Sequence, residues 1–282
     1  MVRLDSRGLT QIPAEVLGRS DIESLSLYQN ALATLPDALW QMSQLKTLNL
    51  GDNQLATLPD GIANLVSLHM LDLGHNCLAE LPEAIGRLTG LSDFLYLSHN
   101  RLSVLPESLG DLTQLAYLNV SDNQLTQLHA RIGDMSALME LRLYRNRLLA
   151  LPDSICKLKQ LRELHAQQNG LSSLPTNFGQ LTALRELDLA DNKLTALPAS
   201  IGGLSQLRRL NLRNNAIFEL PESVCALGRL THLDLRANPL RALPDALGEI
   251  LTIEKLDLRW CRLARLPAWV ETLRARGAVV FT

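Results

Sequence analysis

The chain has 282 residues, 46% of them hydrophobic and 20% charged, with a formal net charge of −2. That near balance excludes a protein held to nucleic acid or to an anionic membrane by bulk charge, and no run of about eighteen apolar residues is present to cross a bilayer. Leucine supplies 66 residues and aromatics only 4%, a one-sided composition for an enzyme of this size.

Residues 1–10 carry charge every few positions and lack an apolar run, so no signal peptide is expected. Val2 and Leu4 alternate as in a short strand. From Ile22 onward one pattern recurs. Asparagine stands at 30, 53, 76, 100, 123, 146, 169, 192, 215 and 238, every step being 23 residues except one of 24. Eleven of the twelve prolines keep the same beat, and His129 stands where the remaining unit would carry its proline. Eleven units begin at Ile22, Leu45, Leu68, Leu91, Leu115, Leu138, Leu161, Leu184, Leu207, Leu230 and Ile253. The unit 184–206 reads LRELDLADNKLTALPASIGGLSQ; its first leucine is position 1 and its asparagine position 9.

Positions 4 and 6 are apolar between polar 3, 5 and 7, the period of a strand with one buried face. A single strand of this kind cannot bury its leucines, so neighbouring units must stack. Stacked in parallel at ~4.8 Å, they make one sheet. The position-9 asparagine offers an amide donor and acceptor where the chain leaves the strand. Proline at position 15 fixes φ and starts the return segment. Apolar positions 18 and 21 suit a short helical or 3₁₀ turn on the outer side. Val2 and Leu4 at one end, and Val279 and Phe281 at the other, fall at positions 4 and 6 of partial units. Thirteen strands are expected.

The motif LxxLxLxxNxLxxLPxxIxxL over eleven units resembles the leucine-rich-repeat family across the whole chain, and the 23-residue LPxxI form is similar to its intracellular, Ras-group-related subclass. The resemblance implies an α/β solenoid, a horseshoe with a concave parallel β-sheet and short helical or 3₁₀ turns on the convex side. One domain, 1–282, is expected: a partial repeat or cap at 1–21, eleven repeats over 22–275, and a partial strand or cap at 276–282. The four cysteines, Cys77, Cys156, Cys225 and Cys261, show no CxxC spacing and are expected as reduced thiols of a cytoplasmic protein.

Besides the unit with His129, three units depart from the pattern. Ser92, Asp93 and Phe94 fill the place of two residues, which reads either as a β-bulge at the strand entrance or as a tolerated insertion. Ala166 replaces leucine at position 6 in the unit that also carries the only phenylalanine at position 18, Phe178; the pair keeps core volume constant. Cys261 replaces the asparagine of the last full unit.

Binding residues are sought among positions 2, 3, 5, 7 and 8, which the core does not use. Met70, Phe94 and Tyr117 share position 3 in successive units, with Tyr96 at position 5 and Tyr144 at position 7. Exposed tyrosines of this kind anchor interfaces. Basic residues follow: Arg142, Arg145, Arg147, Arg162, Arg185, Arg208, Arg209 and Arg213. An ion-pair ladder with Glu140, Glu163 and Glu186 would use up Arg162 and Arg185. The unit of Arg208, Arg209 and Arg213 has no acid at positions 2 to 8, which leaves these three for an acidic partner. A column at position 8, Asp52, His75, His99 and Asp122, has zinc-ligand chemistry but lies along a flat ladder that does not focus on one point. No metal or cofactor is therefore expected. No GxSxG, P-loop, GxGxxG or HExxH motif occurs.

The expected function is a non-enzymatic protein-interaction scaffold, monomeric, with no nucleic-acid or membrane partner. The resemblance implies intracellular signalling, with a small GTPase or other signalling protein as partner. The alternatives are a bacterial effector or substrate-recognition protein acting on a host target, and a metal-binding or enzymatic module.

Overall fold

The computed structural model describes all 282 residues. It divides into two compact units, Met1–Arg142 and Leu143–Thr282. In sheet order the strands follow the chain. The first unit carries β1 (Val2–Arg3), β2 (Ser24–Ser26), β3 (Thr47–Asn49), β4 (Met70–Asp72), β5 (Phe94–Tyr96), β6 (Tyr117–Asn119) and β7 (Glu140–Arg142). The second carries β8 (Glu163–His165), β9 (Glu186–Asp188), β10 (Arg209–Asn211), β11 (His232–Asp234), β12 (Lys255–Asp257) and β13 (Val279–Phe281). Pairing is parallel and in phase: Leu25 faces Leu48, Leu48 faces Leu71, and Leu187 faces Leu210.

The return path is built as the periodicity predicts. Nine of the 3₁₀ turns span five residues, as at Asp60–Asn64 and Ala199–Gly203, and one is shortened to Phe178–Gln180. Proline before the turn holds the chain extended, with φ −77° and ψ 161° at Pro59. His129 adopts nearly the same angles, φ −66° and ψ 150°. The neighbouring units therefore impose this geometry even without the pyrrolidine ring.

Leucines at positions 1, 4 and 6 are fully buried throughout, among them Leu45, Leu48 and Leu50. Full burial of each contributes roughly 1.5–3 kcal/mol relative to exposure. Phe178 and Ala166 are both fully buried, in agreement with the volume exchange read from the sequence.

The asparagine ladder is present. Asn53 Nδ2 donates to the carbonyls of Leu27 (3.0 Å), Leu50 (3.0 Å) and Gly51 (3.1 Å), and its Oδ1 accepts from Leu32 N (3.0 Å). One side chain thus ties the exit of its own strand to two points of the preceding rung. Cys261, in the same place, keeps only a bond from Sγ to Leu235 O at 3.3 Å.

The insertion is absorbed at the strand entrance. Met70 still faces Phe94 and Leu71 still faces Leu95. In the preceding rung His69 N and Met70 N both donate to Lys46 O, whereas Ala116 N and Tyr117 N have separate acceptors in Ser92 O and Asp93 O. Two residues do the work of one, as in a bulge.

The last rung departs from expectation. Val280, not Val279, faces Leu256, and Phe281 faces Asp257. The return segment here is a seven-residue helix, α1 (Trp269–Ala275), followed by Gly277 at φ +93°. That segment uses one residue more than the 3₁₀ turns. A shift of one residue exchanges the faces of a strand, which leaves Val279 and Phe281 on the outside, 52% and 37% exposed.

Candidate functional site

In the first unit β4 to β7 bring together Met70, Phe94, Tyr96, Tyr117 and Arg142. Ring centroids lie 5.7 Å apart for Phe94 and Tyr96, 5.4 Å for Phe94 and Tyr117, and 5.1 Å for Tyr96 and Tyr117. These spacings are those of favourable aromatic pairs. The Arg142 guanidinium covers the Tyr117 ring at 5.6 Å, and its Nε donates to Glu140 Oε1 at 2.6 Å. Tyr117 is thereby held from two sides. Burial pushes its phenol up to about 12, with Arg142 pulling the other way. The phenol therefore stays neutral and can donate a hydrogen bond. Phe94 is exposed, and both tyrosines are half-buried.

Position 5 carries a second regularity, not read from the sequence. Its side-chain oxygen accepts the backbone N–H two residues on: Asn49 from Gly51 (2.9 Å), Asp72 from Gly74 (2.9 Å), Asn119 from Ser121 (3.0 Å) and Asp188 from Ala190 (3.0 Å). Short polar side chains commonly satisfy the backbone in this way. The recurrence of Asn or Asp directly after the position-4 leucine, as at Asn49, Asp72, Asn119 and Asp188, was the available signal. Asp72 sits on the strand beside Tyr96, and burial raises its carboxyl above the ordinary range.

The second unit holds Tyr144, Arg145, Arg208, Arg209 and Arg213. The expectation that Arg209 and Arg213 lack acidic partners is not met. Arg213 reaches Asp191 Oδ2 at 2.8 Å, and Arg209 lies 3.8 Å from Glu186 Oε2. Both acids belong to the preceding rung, only one strand spacing away. Arg208 is exposed and makes no ion pair. Nor does the expected ladder form at Arg162 and Arg185. Glu140 pairs with Arg142 and Glu163 with His165 (3.2 Å), each two residues along the same strand. Alternate residues share a strand face, whereas positions 2 and 3 point to opposite sides. Arg145 Nε donates to Gln168 Oε1 at 2.7 Å. A depression on β9 to β12 is lined by Glu186, Asp188, Arg209, Asn211, His232 and Lys255, among others. Its acids are largely engaged: Arg236 Nε donates to both Asp234 oxygens at 2.9 Å, and Arg259 Nε to Asp257 Oδ1 at 2.9 Å.

The Asp52, His75, His99 and Asp122 column has a conformational explanation. Position 8 is left-handed in rung after rung, with φ between 52° and 55° at these four residues and similar values from Ser6 to Trp260. Asp, Asn and His are the side chains that tolerate this region best after glycine. His75 and His99 stack face to face at 4.0 Å, and His99 Nε2 lies 3.7 Å from Asp122 Oδ2. Parallel rings direct their nitrogen lone pairs side by side rather than toward one point.

The fold and this exposed face define a leucine-rich-repeat solenoid: an open parallel sheet backed by short 3₁₀ turns. The chain belongs to the leucine-rich-repeat family. The model of a leucine-rich repeat region matches residues 21–116, 103–193 and 173–275. No curated protein matches significantly. Among solved structures, a leucine-rich-repeat protein of Leptospira interrogans is 28% identical, with a TM-score of 0.74 over 99% of this chain and 83% of that one. A TDR receptor is 27% identical, with a TM-score of 0.82 over 92% of this chain. The ectodomain of the Arabidopsis thaliana receptor kinase GASSHO1/SCHENGEN3, in complex with Casparian strip integrity factor 2, is 28% identical with a TM-score of 0.76 over 96% of this chain. This chain spans only 47% and 39% of those two receptor structures. Leucine-rich repeats are a typical protein-interaction scaffold and are generally not enzymes.

Proposed function

We propose that the chain is a non-enzymatic scaffold that seats a protein partner on the exposed face of its sheet, with Phe94, Tyr96 and Tyr117 as the anchor. The mutual packing of the three rings carries this reading. Rings already held by one another and by Arg142 lose little freedom on binding, and aromatic and arginine residues dominate interface energies. A signalling role inside the cell belongs to the same proposal, supported by four unbridged thiols and by the resemblance of the LPxxI repeat to the Ras-group form.

The test is affinity capture followed by measured binding of the captured protein. Tyr96→Ala combined with Tyr117→Ala should weaken binding by roughly 2 kcal/mol or more. Gln160→Ala, exposed after a 3₁₀ turn, should leave it unchanged. Loss of binding in the Gln160 variant alone would move the docking surface off the sheet.

A further inference from the structure

The repeats allow one rung to be compared with another, and the comparison singles out Asp72. In the second unit, two of the three acids at position 5, Asp234 and Asp257, are clamped by an arginine at position 7 of the same strand exit, while the third, Asp188, takes Asn211 Nδ2 at 3.1 Å on its second oxygen. Arg236 N donates to Asp234 Oδ1 at 3.1 Å while its side chain takes the rest of the carboxylate. Arg259 does the same to Asp257, with its N at 3.3 Å from Oδ1 and a terminal guanidinium nitrogen at 2.6 Å from Oδ2. Asp72 has the same backbone bond, from Gly74 N at 2.9 Å. The clamp itself is missing, because position 7 is glycine.

Two glycines open the space over this carboxylate. A Cβ placed on Gly51 would stand 3.1 Å from both Asp72 oxygens, and one on Gly74 would stand 3.2 Å from Oδ1. No arginine or lysine forms an ion pair with Asp72. On one side lies Tyr96, its partner in register, with Tyr117 packed against that ring. Arg142 over Tyr117 shows that these rings accept a guanidinium on their faces. The electrostatics agree: Asp257 is held below the ordinary carboxylate range because Arg259 and Arg236 outweigh its burial, whereas burial prevails at Asp72.

We propose that Asp72 is a socket for an arginine side chain of the partner protein, completing from outside the clamp that Arg236 and Arg259 make from within. This rests on the sheet face being the docking surface. Arginine fits better than lysine because its planar fork can bond a carboxylate while stacking on an aromatic face. The opposite charge and the half-buried, unclamped carboxylate make the site selective for a cation.

The experiment titrates the isotope-labelled chain with N-acetylarginine amide and follows backbone amide shifts. N-acetylglutamine amide and N-acetyllysine amide serve as neutral and cationic comparisons. Saturable shifts at Gly74 and Tyr96 are expected with the arginine probe. They should be at least tenfold weaker in Asp72→Asn, which keeps the bond to Gly74, and in Gly74→Arg, which supplies its own clamp. If Gly74→Arg does not fold, Asp72→Asn decides. Equal shifts in wild type and Asp72→Asn overturn the socket, as does equal binding of the glutamine or lysine probe. A dimer seen by sedimentation and lost in Asp72→Asn would make a second copy of the chain the occupant and overturn the separate partner. If the arginine probe fails while the tyrosine variants still abolish capture, the socket alone falls. If the tyrosine variants bind normally, the docking surface falls first.

Discussion

Replacing Asn53 by leucine keeps most of the side-chain volume and removes every hydrogen bond the residue makes. The loss can be worked out from the rung. Leu32 is fully buried, and its N–H donates to Asn53 Oδ1 at 3.0 Å. Without that acceptor the N–H is stranded, a cost of about 1–3 kcal/mol. The carbonyls of Leu27 and Leu50, each 3.0 Å from Nδ2, lose one donor but keep another in Asn30 Nδ2 (2.9 Å) and Asn76 Nδ2 (3.0 Å), so the total should stay within that range. Asn53→Cys should cost less, because the thiol can keep one carbonyl bond as Cys261 does with Leu235. Urea unfolding gives the global loss. Amide hydrogen exchange at Leu32 gives the local one, which matters because repeat stability is a sum over neighbouring rungs rather than one two-state event. A loss below about 1 kcal/mol with unchanged protection at Leu32 would show that the ladder does not hold the strand exits together.

Other outcomes follow from single residues. Phe178→Ala should cost about 3–5 kcal/mol in denaturant melts, since its ring is fully buried at the head of the shortened 3₁₀ turn. Gly179→Ala should cost about 1–3 kcal/mol, because a Cβ there would fall on Ser200 O in the next turn; a melt unchanged from wild type would mean the turns can slide apart. The two acids at position 5 should respond to pH with opposite signs. The Asp72 carboxyl is raised, so it detracts from stability as pH climbs from the ordinary carboxylate value through the raised one, and Asp72→Asn should stabilise the chain at neutral pH. Asp257 is depressed, so its contribution is complete above the ordinary value and is lost as pH falls through the depressed one. Asp257→Asn should therefore destabilise at neutral pH, and the difference should shrink in acid. Urea midpoints across that range check both; a shift of the same sign in the two variants would refute the assignment.

The strands, the turns and the asparagine ladder were legible because one period fixes all three. Leu25, Leu48 and Leu71 could be placed on one face by counting. What could not be counted was geometry between rungs. Arg209 and Arg213 look unpaired along the chain because their acids, Glu186 and Asp191, lie one rung back. The Asp52 to Asp122 column was ambiguous because ligand chemistry and tolerance of left-handed backbone select the same residue types. The final register slipped because nothing in the apolar pattern announces that the unit returning through α1 takes one residue more than a unit returning through a 3₁₀ turn. The aromatic cluster was visible as a column, but its contact with Arg142 and its place beside Asp72 needed the pleat of neighbouring strands. Asp72 itself became informative only beside Asp234 and Asp257.

The bulge at Ser92 and Asp93 has a wider meaning. Each coil is fastened by an asparagine side chain where the strand ends and mainly by backbone bonds where it begins, so length can change at that joint without shifting the leucines of later coils. Phe94, the most exposed ring of the aromatic group, stands immediately after that joint. A chain built this way can enlarge or reshape its docking face by single insertions at strand entrances while its interior keeps its phase. Such proteins can therefore acquire new partners through changes in length as well as through substitution.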